Sequence, residues 1–284
     1  MKKICLFVVL CLAVAQLKAQ KAVVFKVKYQ PNRTYKVSLK VGVKLNATLT
    51  GDQSIIDQLN SNGLTQPIAV NADLTMDGNT RTGAVGADKS FPLDMNYAIT
   101  NLSVQANGKD APIPPKVTET NMKVSGHVTA DGLIKLDSAM GKKLTDSAQN
   151  KMQKMMTMFQ KQIKFPERAL KPGDTFTESL PMTDMGLKAN NDMKMDARVT
   201  YKLISISDGK AYFDIVPNFN MSVSIKNVII NVTGAGTGKM VYSIKDNFPL
   251  SKEGTFDVKI KVTSEKINVD GTAVITTGYT AAIN

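Results

Sequence analysis

Between Tyr35 and Leu49 the chain alternates without a break. Tyr35, Val37, Leu39, Val41, Val43, Leu45, Ala47 and Leu49 fall on one side. Lys36, Ser38, Lys40, Gly42, Lys44, Asn46 and Thr48 fall on the other. A period of two sets successive side chains on opposite faces of a β-strand. At about 3.4 Å per residue this stretch spans roughly 50 Å, more than twice a common strand. A strand of that length must twist and curve, and Gly42 is a natural bending point. One apolar face and one wet face indicate an antiparallel sheet.

The same pattern recurs on both sides. Val23, Phe25, Val27 and Tyr29 alternate with Lys26 and Lys28 ahead of a turn at Pro31-Asn32-Arg33. Gly51-Asp52-Gln53-Ser54 caps a short helix carrying Ile55, Ile56 and Leu59, which Asn62-Gly63 ends. Strands are expected over Ile68–Met76, Leu93–Ala106, Val117–Ala130 and Leu133–Leu136, with a polar loop over Thr80–Lys89. Later strands are expected over Met193–Ile206, Ala211–Val216, Phe219–Val232, Met240–Ile244, Thr255–Thr263 and Ile267–Tyr279. Turns are read at Asp77-Gly78, Asn107-Gly108, Asp131-Gly132, Asp208-Gly209, Lys252-Glu253-Gly254 and Asp270-Gly271. Gly234-Ala235-Gly236-Thr237-Gly238-Lys239 reads as a flexible hairpin loop. It fails as a phosphate loop, because Thr233 stands where the first Gly belongs and Met240 where Ser or Thr is needed.

Residues 1–19 read as a signal peptide. Lys2 and Lys3 precede a short apolar run, Ile4 to Ala15, and Leu17-Lys18-Ala19 before Gln20 fits a cleavage site. That run is too short to span a bilayer, and no later segment is long and apolar enough. Both cysteines, Cys5 and Cys11, lie in the removed segment, so the mature chain is expected to hold neither disulfides nor thiolate metal sites. Lipid anchoring through Cys11 is disfavoured by the bulky Leu10 before it. The chain carries a net charge of +12, of which Lys2, Lys3 and Lys18 leave with the signal. A basic surface favours anionic partners such as an envelope surface, or simply keeps a β-rich protein soluble and guards its edges. Nucleic acid is not an expected partner, since the basic residues are dispersed and Trp is absent.

One long helix is expected in the middle, over about 144–163. Leu144, Ala148, Met152, Met155, Met156, Phe159 and Ile163 form one apolar stripe, and Lys151, Lys154, Gln160 and Lys161 line the polar side. Phe165-Pro166 ends it. Methionine adapts to changing contacts, so Met152, Met155, Met156, Phe159 and Ile163 are candidate ligand-binding residues of a lid over an apolar site. The plainer reading is a helix that closes a core. A Cu(I) thioether site is a third reading, but the exposed Met repeats or histidines that accompany such sites are missing.

Catalytic chemistry is sparse. The single histidine, His127, lies within a strand pattern. One His and no mature Cys leave no ordinary zinc site, and no cofactor or metal is expected. No Gly-x-Ser-x-Gly elbow occurs. Glu167 and Asp174 flank the central stop, where turn chemistry accounts for them.

Tyr29-Gln30-Pro31-Asn32-Arg33-Thr34-Tyr35 and Leu170-Lys171-Pro172-Gly173-Asp174-Thr175-Phe176 share a pattern of apolar, polar, Pro, turn residue, charged, Thr and aromatic. This is either an internal repeat or generic strand-entry chemistry. With the Lys-Lys signal ending at Ala19-Gln20 and the Tyr35 strand, these residues make the chain resemble uncharacterised secreted β-rich proteins of Gram-negative bacteria. More distantly, long curved strands plus a helix resemble the LolA/LppX-like carriers, which implies an open half-barrel holding acyl chains under a helical lid. Asp137-Ser138-Ala139 and Asp146-Ser147-Ala148 also resemble an O-glycosylation acceptor pattern.

The expectation is therefore an α+β, mostly antiparallel β protein. A long curved sheet or open half-barrel carries one main helix, about 144–163, on its concave face. Residues 20–284 form a single domain of two similar halves, about 20–142 and 165–284, joined by helix 143–164. The expected function is exported, non-enzymatic binding of a lipid or other apolar ligand between sheet and helix, at the periplasm or cell surface. The alternative is a structural or interaction protein of the envelope without a small ligand.

Overall fold

A computed structural model describes residues 22–61, 63–113, 121–139, 142–143, 163–179, 193–225 and 227–284. The expected helix therefore lies, up to residue 162, outside the described residues. So do the signal peptide and the Asp146 acceptor pattern.

The chain is one antiparallel sheet. Its strands are β1 (Thr34–Gly51), β2 (Ile68–Thr82), β3 (Phe91–Ala106), β4 (Lys109–Asp110), β5 (Asn121–Val128), β6 (Ile134–Ala139) and β7 (Lys142–Lys143). They continue with β8 (Thr175–Ser179), β9 (Met193–Ser207), β10 (Lys210–Ile225), β11 (Val228–Ser243), β12 (Phe248–Thr263) and β13 (Ile267–Ile283). The spatial order is β7-β6-β5-β3-β2-β1-β13-β12-β11-β10-β9-β8, with β4 attached to β3. β7 and β8 end the path, so among the described residues the sheet is open. The first and last long strands meet at its middle, where β1 and β13 pair from Tyr35↔Ile283 to Gly51↔Ile267. The Thr34 and Asn284 backbones close this pair with hydrogen bonds of 2.9 and 3.0 Å. Each half contributes a consecutive antiparallel series laid down in the same sense.

Several expected turns are strand interior. Asp77-Gly78 lies inside β2, Lys252-Glu253-Gly254 inside β12, Asp270-Gly271 inside β13 and Gly234–Lys239 inside β11. Each is paired on both sides by a long neighbour, and those ladders outweigh a local turn preference. The glycines of β11 have a packing reason. A Cβ at Gly236 or Gly238 would meet the backbone carbonyl of Thr255 or Glu253 on β12, so only glycine permits that approach. Thr80–Thr82 also belong to β2, and the loop starts at Gly83. The expected break between Val216 and Phe219 is absent. β10 runs through Pro217, losing its pairing with β11 only at Val216 and Pro217 while the register resumes unchanged at Asn218↔Ala235. Pro217 has no N–H to donate, and a brief gap is less costly than a new turn. Asn107-Gly108, Asp131-Gly132 and Asp208-Gly209 do turn, each using a left-handed residue: φ 49° at Asn107, 86° at Gly132 and 50° at Asp208.

The one helix among the described residues, α1 (Gln53–Ser61), forms where the cap signal placed it. The Asp52 carboxylate accepts the Ser54 N–H at 2.9 Å, satisfying one of the donors a helix start leaves free. Ile56 buries its face toward β1.

Residues 22–33 differ from the expected strand. They form an extended arm joined to Leu170 by a single bridge at Val23, and the arm crosses one end of the sheet. Its alternation is real, but it serves packing. Phe25 enters a core with Leu170, Tyr201, Leu203, Phe213, Met240 and Tyr242. Tyr29 packs against a second core of Phe91, Leu93, Met95, Val124, Val128, Ile134 and Leu136. The arm thus bridges the two wings. Phe25 lies 5.3 Å from Phe165, 5.3 Å from Phe213 and 5.2 Å from Tyr242, centroid to centroid. Phe176 stacks on Tyr201 at 4.8 Å. Pro31-Asn32 and Pro172-Gly173 make similar turns, with φ 55° at Asn32 and 95° at Gly173. Each feeds a strand whose first aromatic residue, Tyr35 or Phe176, packs inward.

Candidate apolar ligand-binding face

The register assigns every central side chain to a face. One row crosses the sheet as Val104, Ala72, Val43, Ile275 and Phe256. The next reads Ala106, Val70, Leu45, Ala273, Val258, Gly234, Phe219 and Ala197. A third reads Ile68, Ala47, Gly271, Ile260, Val232, Met221 and Met195. The opposite face carries Lys40, Lys44, Asn46, Asn71, Thr272, Lys259 and Thr233. The alternation first visible in β1 is therefore shared by its neighbours in phase, and the result is a single wide apolar face.

The two ends of this face differ. At one end the arm and residues 163–170 cover it, and its side chains are buried. Beyond that cover, Val37, Leu39, Val41, Val43, Leu45, Ala47 and Leu49 are only half-buried. Among the described residues, the elements that pack substantially on β1 are its two neighbouring strands, β2 and β13, and α1 at the rim. Two glycines shape the surface. A Cβ at Gly78 would meet the ring of Tyr97, and one at Gly234 the ring of Phe219. In each pair an aromatic ring occupies the space beside the glycine of the adjacent strand.

Charge is nearly absent from this face across β1–β3 and β8–β13. Lys252 is in phase with Phe256, Val258 and Ile260, and stands beside Met240 and Tyr279. Its ammonium lies 5.9 Å from the centroid of the Tyr201 ring, three strands away. Burial lowers its pKa, and the charge of Glu178 partly offsets that. Glu178 is the other charged side chain on this face, and its Oε1 accepts the Lys164 N–H at 3.1 Å. Burial also raises the pKa of Tyr201, Tyr279, Tyr97 and Tyr29. Tyr242 is pushed up to about 12 by burial, partly offset by its hydrogen bond to the Lys26 backbone. These phenols stay neutral across ordinary pH. Sequence reading passed over Lys252 as a turn residue, although its even-numbered phase with Phe256 and Val258 was the available signal.

Of the five expected lid residues, Met152, Met155, Met156 and Phe159 lie outside the described residues. Ile163 is buried in the core with Phe25 and Tyr242, in a segment without helical structure. His127 sits on the polar side of β5, its Nδ1 3.1 Å from an Asp137 carboxylate oxygen. A cleft of about 560 Å³ opens on the polar face near Lys36, Ser38, Asp77, Asn79 and Asn96, where Asp77 accepts the Thr100 hydroxyl at 2.8 Å. Among the described residues no group of three His, Cys, Asp or Glu is placed to hold a metal ion. No helix among them is long and apolar enough to cross a membrane.

No protein-family model and no curated protein sequence matches the chain. Solved structures show distant likenesses. A lipovitellin structure concerned with lipid–protein interactions aligns at 10% identity and a TM-score of 0.40, covering 90% of this chain and 26% of its own. OpdL of Pseudomonas aeruginosa aligns at 5% identity and 0.26, covering 88% and 99%. The outer membrane protease OmpT of Escherichia coli aligns at 8% identity and 0.19, covering 90% and 99%. This chain thus spans about a quarter of the lipovitellin chain. All three scores lie below the level of a shared fold, and no property of these proteins is carried over.

Proposed function

We propose that this is an exported, non-enzymatic protein of the bacterial envelope that binds a lipid or similar apolar ligand on the apolar face of its sheet. The observation that carries this reading is the continuous apolar face from β3 across β1 to β9, covered at one end only by described residues. A contiguous apolar surface of that extent on a monomer marks an interaction site. Rows of aliphatic side chains without polar interruption suit acyl chains, which need area and no directed hydrogen bonds.

Native mass spectrometry of protein purified without detergent tests this. Bound lipid should be released on activation, and stripped protein should take up added lipid. A lipid-free preparation that takes up none would overturn the reading. Export is tested separately, by sequencing the amino terminus of the purified protein, which should begin at Gln20.

A further inference from the structure

Lys252 is out of place on this largely apolar face, where Glu178 is the other charged side chain. Lys252 is half-buried, and taking a lysine partly out of water is costly unless something of opposite charge compensates it. Among the described residues no carboxylate lies within ion-pairing distance of its ammonium. Its stabilising contact is the Tyr201 ring, 5.9 Å away. Tyr279 stands directly opposite Lys252 on β13. Neither the Tyr279 hydroxyl nor the Tyr201 hydroxyl hydrogen-bonds to another described residue, although Tyr201 is 1% exposed. Lys252 thus stands between two phenols that lack hydrogen-bond partners among the described residues, where the cover made by those residues ends.

From Lys252 the apolar track continues along β12 through Gly254, Phe256, Val258, Ile260 and Val262. At about 3.3 Å per residue it runs roughly 33 Å. One leaflet's acyl chains span about half of a 30 Å hydrocarbon core, so the track holds a full chain with room to spare. Gly254 pairs with Gly238 just beyond Lys252, leaving the floor there free of side chains.

We infer that Lys252, with the Tyr279 and Tyr201 hydroxyls, is the head-group site for a long-chain fatty acid, whose carboxylate sits at Lys252 and whose chain runs along β12 toward Val262. A single cation matches a single carboxylate, and phenols that stay neutral can donate to it without repelling it. The charge of Glu178 favours the protonated lysine and partly offsets the effect of burial. The inference rests on the apolar face being a lipid site.

Calorimetric titration of delipidated full-length protein with palmitate, methyl palmitate and hexadecanol tests it. Wild-type protein should bind palmitate about tenfold or more tightly than the two neutral probes, the ratio expected of a charge-assisted hydrogen bond. Lys252→Met should remove that preference by weakening palmitate alone. Lys252→Arg should retain it, and Tyr279→Phe should reduce it. Equal wild-type binding of the acid and its ester would overturn the head-group site while leaving the lipid-binding reading intact. That comparison needs no variant, so it decides even if Lys252→Met fails to fold. Binding of none of the three probes would overturn both.

Discussion

The Tyr242 hydroxyl makes two hydrogen bonds to one residue of the amino-terminal arm, donating to the Lys26 carbonyl and accepting the Lys26 N–H at 3.3 Å. The arm has only one bridge of its own, at Val23↔Leu170. One phenol on β11 therefore does what a neighbouring strand would otherwise do, satisfying both backbone groups of a residue beside the buried Phe25. Tyr35 repeats the device by accepting the Gln30 N–H at 2.7 Å, and Thr82 donates to the Gln30 carbonyl at 2.6 Å.

Tyr242→Phe keeps the ring and removes these bonds, leaving a partly buried N–H and C=O without partners. The expected cost is about 1–3 kcal/mol, measured by urea unfolding. Hydrogen exchange should quicken selectively at residues 23–30. A uniform change across the sheet would show that the arm is not held by this phenol.

Gly78 and Gly234 let Tyr97 and Phe219 lie across the neighbouring strand. A Cβ at Gly78 would press on the Tyr97 ring and stand 2.8 Å from Val37 Cγ2. Gly78→Ala is expected to cost about 1–3 kcal/mol through overpacking. Ala is otherwise a better strand residue than Gly, so a thermal midpoint at or above that of the wild type would refute the packing account.

A charge in the middle of the apolar face should disable ligand binding without touching the polar face. Val43 is half-buried on β1, and Lys44 follows it on the opposite side. Val43→Asp should lower lipid affinity about tenfold or more, because a carboxylate resists transfer against acyl chains. Lys44→Asp should leave affinity within about twofold, consistent with surface substitutions that change little. Equal losses from both would place the lipid elsewhere.

Alkaline behaviour follows from the phenols. An unfolded tyrosine ionises near pH 10, whereas folded Tyr242 holds its proton to about 12. The folded state therefore binds more protons between these values. The stability this residue contributes is complete below about pH 10 and is lost as pH rises toward 12. Tyr201, Tyr279, Tyr97 and Tyr29 are displaced in the same direction by burial. Phenolate absorbance should thus rise in one cooperative step together with loss of β circular dichroism. A gradual titration centred at pH 10 with the fold intact would contradict the burial of these rings.

Much of the architecture was legible because it rests on a local period. The alternation from Tyr35 to Leu49 determined a long one-sided strand, and through it an antiparallel sheet with one apolar face. Asp52 and Ser54 likewise determined the start of α1, since a cap is made by neighbours in sequence. Asp-Gly carries the same local signal at Asp131-Gly132, which turns, and at Asp77-Gly78 and Asp270-Gly271, which do not. Tertiary pairing decided between them, because a long partner on each side recovers more hydrogen bonds than a turn can. Only the assembled sheet made the arm a bridge between two cores. And only the pairing of β12 with β11 and β13 made Lys252–Gly254 strand rather than turn, which set Lys252 in phase with Phe256 on the apolar face beside Tyr279, because a ladder on both sides outweighs a local turn preference.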